Sequence, residues 1–196
     1  MDIRKTSNLL LKFTIKRITE IFGLIIFLSG VLLFISLISY SPSDPNFIFP
    51  DNTEINNILG FKGSFVSDLF FQSLGLVAFP ISFTLIISGI NIFRYKEFFL
   101  ILENFFFATI YAVLGTLFLS YFYSSGFTLY INGNGGFVGS YLNKTFLNSI
   151  IQFNEIIFYY ALIILVIFLF LVSVNFHPIN FYRTIKNFFS MFAKKE

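Results

Sequence analysis

Side chains able to do chemistry are few in this chain, and they recur at wide intervals. It holds ten Asp and Glu, thirteen Lys and Arg, one His and no Cys among 196 residues. Without Cys, disulfides, thiolate metal sites and cysteine nucleophiles are excluded. The lone His177 leaves no His-cluster metal site. Glu20, Asp68, Glu103 and Glu155 each stand immediately before a long charge-free run. Two carboxylates sharing a proton could do acid–base work, and Asp68 and Glu155 are the pair expected on one membrane side. The electrostatic reading is preferred: an acid at a helix start is favoured by the unpaired N–H groups and the helix dipole. Asp44, Asp51 and Glu54 lack the Asp-x-Asp-x-Asp-Gly series of a calcium loop. The run Asn132-Gly-Asn-Gly-Gly136 could cradle phosphate at a helix start, but no cation follows until Lys144, so a flexible turn is expected. No G-x-x-x-x-G-K-[ST] occurs, so no nucleotide is expected on a P-loop. The sequence implies no cofactor, no metal and no catalytic residue.

The elements that must hold these groups are read from the hydropathy. Mean hydropathy is +0.81, with 56% hydrophobic and 12% charged residues. A soluble domain usually carries about 25% charged residues, so the composition is that of an integral membrane protein. Four charge-free runs stand out, Ile21–Ser43, Leu69–Phe93, Asn104–Tyr123 and Ile156–Phe176. Each reaches the roughly 20 apolar residues a helix needs to cross the bilayer. Barrel strands would alternate over about ten residues, and the stretch Ala161–Phe170 does not alternate. The expected fold is all-α and polytopic, with four transmembrane helices near 20–40, 69–93, 104–123 and 156–176. A basic tail over 1–18 precedes the membrane domain at 19–177, and a basic amphipathic tail occupies 178–196. The residues left over are too few for a second globular domain of about 100–150 residues.

Orientation follows from the positive charge. The two tails and the Arg94–Lys96 loop carry eleven Lys and Arg, whereas the other two loops carry only Lys62 and Lys144. The positive-inside rule then places both termini in the cytoplasm. A cleaved signal peptide is not expected, because the first charge-free run is too long for its apolar region.

Small residues mark where helices approach in a membrane. Gly75, Ala78, Ser82 and Gly89 fall on one face of span two, Ala108, Ala112 and Gly115 on one face of span three, and Gly23 and Gly30 on span one. Pro80 is expected to kink span two. Lys12, Lys16 and Arg17 form a basic collar below span one, and Arg183 and Lys186 lie opposite a Phe stripe in the C-terminal tail. With a bilayer adjacent, lipid headgroups are the expected anions for these residues, and no direct nucleic-acid binding is expected. None of the four runs contains an ionisable Asp, Glu, Lys, Arg or His. Coupled transporters usually need one, so transport is disfavoured.

Two segments carry more than composition. Tyr40-Ser-Pro-Ser-Asp-Pro-Asn-Phe47 closes the first span, and Asn57-Ile-Leu-Gly60, Gly63, Asp68-Leu-Phe-Phe71 and Gly75 lead into the second. This resembles the N-terminal four-helix membrane domain of the FtsK/SpoIIIE-type bacterial DNA translocases. There a Ser-x-x-Asp-Pro-type turn follows span one, and Asn-x-x-Gly-x-x-Gly with a nearby Asp leads into span two. Gly135-Gly136-x-x-Gly139 is similar to the family's last external loop. The resemblance covers about residues 18–176 and implies a motif loop made of Ser43, Asp44, Pro45, Asn57, Gly60, Gly63, Asp68 and Gly75. It further implies a septal anchor in the inner membrane, a homo-oligomer (a hexamer in the family) and contacts with division-machinery membrane proteins in cell division and chromosome partition. The family's ATPase and translocase activity has no Walker motif here to rest on, so no enzyme activity is expected of these residues. The competing reading is a small oligomeric transporter or channel.

Overall fold

The computed structural model describes residues 3–45, 54–124 and 132–176. It is all-helical over those residues: α1 Ile3–Ile38, α2 Gly60–Leu74, a 3-10 turn Gly75–Val77, α3 Ala78–Tyr95, α4 Phe99–Phe122, α5 Gly136–Asn143, α6 Phe146–Phe153 and α7 Glu155–Ser173. Four segments are long and apolar enough to cross a membrane, namely Asn8–Ile38, Gly60–Tyr95, Phe99–Phe122 and Glu155–Ser173. Four spanning segments are what the charge-free runs predict.

α1 and α3 form a close antiparallel pair, because glycine removes the side chains that would separate them. A Cβ on Gly23 would lie 2.6 Å from the Phe93 nitrogen, one on Gly30 2.7 Å from that of Ile86, and one on Gly89 2.4 Å from that of Phe27. The Lys96 ammonium meets Glu20 at 2.5 Å at the end of the same register. Continued to its other end, this register sets Ala78 opposite Ile38, the last residue of α1. At 1.5 Å per residue α3 alone is about 27 Å long, close to the ~30 Å hydrocarbon core.

The second span is therefore not the continuous, Pro-kinked helix that its hydropathy predicts. It breaks at Gly75, whose φ of 60° and ψ of −141° lie outside any helical region. Pro80 is the third residue of α3, in its first turn, where proline is tolerated. A straight continuation of α3 would carry Gly60 far beyond the end of α1. Instead α2 folds back over that end: Asn57 at its entry bonds the Ser36 and Ser39 carbonyls, while Phe71 near its exit packs with Leu33, Leu37 and Ala78.

α7 packs along α4, where Tyr111, Ala112 and Leu169 form one cluster with Val77, and Leu117, Phe118 and Leu162 another with Ile151. Asn154 caps α7 through its side chain to the Ile157 N–H at 3.2 Å. Of the four carboxylates expected at helix starts only Glu155 is there. Glu20, Asp68 and Glu103 lie inside α1, α2 and α4. A charge marks where the apolar run ends, and the helix continues past it. The C-terminal tail with His177, Arg183 and Lys186 falls outside the described residues.

Candidate functional site

The motif residues come together where α1 ends. Asp44 is 2% exposed, and its carboxylate accepts from the Asn56 N–H at 2.9 Å, the Asn56 side-chain amide at 3.1 Å and the Asn57 N–H at 2.9 Å. Three donors on one carboxylate satisfy a buried charge that would otherwise be costly. Asn57 bonds the other way, its amide donating to the Ser36 carbonyl at 2.9 Å and the Ser39 carbonyl at 3.3 Å. Ser36 is in the last turn of α1 and Ser39 directly follows it, where carbonyls lack helical N–H partners. The Asn57 side-chain oxygen accepts from the Leu59 N–H at 3.1 Å. Gly63 lies directly against it, and a Cβ there would come within 2.1 Å of that oxygen. Gly60 adopts φ +64° with open space around it, so its role is backbone freedom at the start of α2.

Pro45 and Asp68 complete the cap. Ser64 donates to the Pro45 carbonyl at 2.9 Å. The Tyr40 hydroxyl donates to buried Asp68 at 3.1 Å, and its ring meets Phe71 edge-on with centroids 4.9 Å apart. Ser43 is exposed, with its hydroxyl 2.8 Å from that of Ser41. Asp68 and Glu155 have separate partners, since Glu155 accepts from the Tyr121 hydroxyl at 2.8 Å and Asp68 from that of Tyr40.

Gly75 belongs to a second junction, where the last loop enters the broken span. A Cβ on Gly75 would stand inside the Asn134 carbonyl, and that oxygen accepts from the Leu76 N–H at 2.9 Å. The carbonyl thus caps the Leu76 N–H at the break. Gly135 and Gly139 seat α5 on α4, each with its Cβ position within 2.4 Å of the Thr116 carbonyl, and Gly136 lies against the Gly75 nitrogen at φ +62°. Asn132 donates to the Gln72 carbonyl at 3.1 Å, and the buried Asn134 amide donates to the Tyr123 carbonyl. The flexible turn expected at these glycines is instead a docked segment, with its carbonyl aimed at protein rather than its N–H groups at an anion.

The small residues read from the sequence fall in several contacts. Ala78 and Ser82 are fully buried, Gly89 touches α1, Ala112 is buried beside Tyr111, Ala108 packs on the same cluster, and Gly115 faces Val77. Lys12, Lys16 and Arg17 are exposed on α1, with Arg17 paired to Glu20 at 2.7 Å. Sequence reasoning missed a polar stripe that runs from the middle of the bundle towards the end opposite the cap. Thr84 meets the Tyr111 hydroxyl at 2.8 Å, Ser88 donates to the Ser173 carbonyl at 3.3 Å, and Asn91 donates to the Val174 carbonyl at 2.8 Å. Asn175 donates to Asn104 at 2.6 Å. The 84, 88, 91 spacing on one helical face was the available signal. It missed Asn56 and Ser64 as well, and the bond of Tyr40 to Asp68, since these partners are distant in sequence.

Among the described residues no group of three or more His, Asp or Glu could hold a metal. The site is a hydrogen-bonded cap of buried polar groups over the end of α1. The model of the four-transmembrane region of DNA translocase FtsK/SpoIIIE matches residues 15–185. The DNA translocase FtsK of Rickettsia typhi is 33% identical over 78 residues, which are 39% of this chain and 10% of that protein. Those of Rickettsia bellii and Caulobacter vibrioides are each 32% identical, over 78 and 69 residues, covering 40% and 35% of this chain and 10% and 8% of theirs. The matched stretch is thus about a tenth of the length of these curated relatives. No solved structure matches.

Proposed function

The chain belongs to the family of FtsK/SpoIIIE four-transmembrane regions, and from that premise we propose that it is the membrane anchor of an FtsK-type translocase at the division septum. The observation that carries the reading is the convergence of Asp44, Pro45, Asn57, Gly63 and Asp68, spread over 25 positions, into one buried cap. A bare anchor needs only apolar helices; a cap this specific fixes the shape of loops that a partner reads. The eleven-to-two split of positive charge supports an orientation in the inner membrane with both termini in the cytoplasm and the cap on the opposite side. There it would meet membrane proteins of the division machinery. The helix faces serve assembly into a homo-oligomer, and Lys12, Lys16, Arg17, Arg183 and Lys186 serve contact with inner-leaflet headgroups. These residues supply anchorage and contacts, not ATP hydrolysis or DNA binding.

A fluorescent protein fused at the C-terminus tests the proposal in dividing bacteria with intact division machinery. The fusion is expected to concentrate at midcell. An even distribution around the envelope at normal membrane levels overturns the septal role.

A further inference from the structure

Where α2 overhangs the α1–α3 pair it leaves an open apolar groove of about 500 Å³. Leu33, Val66, Phe70 and Leu85 line its length, and Lys62, Ser36 and Gly63 line its end beside the cap. Its walls continue the surface of the spanning helices, so hydrocarbon is the medium it opens to. Two polar groups stand at the cap end. Lys62 is exposed and makes no ion pair among the described residues, whose salt bridges both belong to Glu20. The Ser36 hydroxyl, on a residue only 1% exposed, has no hydrogen-bond partner. The hydroxyls of Thr14 and Thr19 in α1, and of Ser39 just after it, bond the carbonyl four residues back, and the buried one of Ser36 does not.

We infer that this groove is a phospholipid site: one acyl chain lies between α1 and α2, and the lipid phosphate pairs with Lys62. Charge favours a lipid over a helix of a second copy, since the unpaired Lys62 ammonium at headgroup level attracts a phosphate, and the apolar wall beside it suits an acyl chain. The Ser36 hydroxyl supplies a donor at glycerol depth. The occupant would brace α2, and with it the cap, against the shaft.

The purified chain in a neutral detergent is titrated with phosphatidylglycerol, followed by native mass spectrometry and melting temperature. One lipid retained per chain and a raised melting temperature are expected. Lys62→Gln should weaken binding at least about tenfold, the loss of one charge-assisted contact, and Val66→Trp should fill the groove and abolish it. Lys144→Gln, an exposed lysine of the other loop, should bind as the unmutated chain does, and inorganic phosphate alone should give no shift. Unchanged affinity in Lys62→Gln overturns the site, as does equal binding of phosphate-free diacylglycerol. Val66→Trp that separates copies of the chain while keeping the lipid would assign the groove to a second copy. Should Val66→Trp fail to fold, Lys62→Gln and Lys62→Glu decide alone.

Discussion

Removing the Asp44 carboxylate should open the cap without unfolding the bundle. In Asp44→Ala the buried Asn57 N–H loses its acceptor, which costs about 1–3 kcal/mol. The Asn56 N–H and amide lose theirs as well, but they are partly buried and water can replace the carboxylate, adding about 1 kcal/mol. The cap is then about 2–4 kcal/mol easier to open, about 30- to 700-fold in its opening equilibrium. Ser64 reports that opening, because it is 1% exposed and tied to the Pro45 carbonyl. In this Cys-free chain, Ser64→Cys places a single thiol beneath the cap. With a reagent slow relative to reclosing, the labelling rate follows the open population. The rate should rise by the factor above in Asp44→Ala. Glu103→Ala, exposed on α4, should leave it unchanged. Equal labelling with and without the Asp44 carboxylate would refute the claim that this network closes the cap.

Gly75→Ala should be among the most damaging single-methyl additions, since its Cβ would overlap the Asn134 carbonyl at φ +60°, whereas Gly60→Ala meets open space at a similar φ and should cost only about 1 kcal/mol; thermal unfolding in detergent gives the ranking. In the same assay Gly89→Leu should force α1 from α3 and lower melting strongly, and half-buried Ile87→Leu should cost less than about 1.5 kcal/mol. Cysteines at Ser43 and Tyr141, exposed at the cap end, should react with an impermeant reagent added to spheroplasts, and one at Glu97, exposed between α3 and α4, should be spared. Labelling at position 97 alone would invert the topology.

The four spans were legible because each is a long run that excludes charge, and exclusion from hydrocarbon is a property of composition. The break at Gly75 was not, since Leu74-Gly-Leu-Val-Ala78 is as apolar as its neighbours. What breaks the helix there is a carbonyl from Asn134, some sixty residues on, and no local pattern announces it. The glycines of the last loop looked flexible for the same reason: each is small because a particular backbone lies against it. Asp68 shows the limit of charge punctuation. Its position marks the edge of the apolar run, yet its partner is the hydroxyl of Tyr40, 28 residues earlier. The motif residues were found as a set by resemblance. That Asp44 binds the chain entering α2, while Asn57 reaches back to α1, needed coordinates.

The most direct test of the account replaces the membrane region of a host's FtsK-type translocase with residues 15–185 of this chain, leaving the host's motor in place. Division is then measured as cell length and septal placement, against an unrelated four-helix anchor on the same motor. The account predicts near-normal cell length and midcell septa for this region and long, undivided cells for the unrelated anchor. Equal failure of both, with this region inserted at normal levels, would contradict the claim that these helices and their cap act as a division anchor.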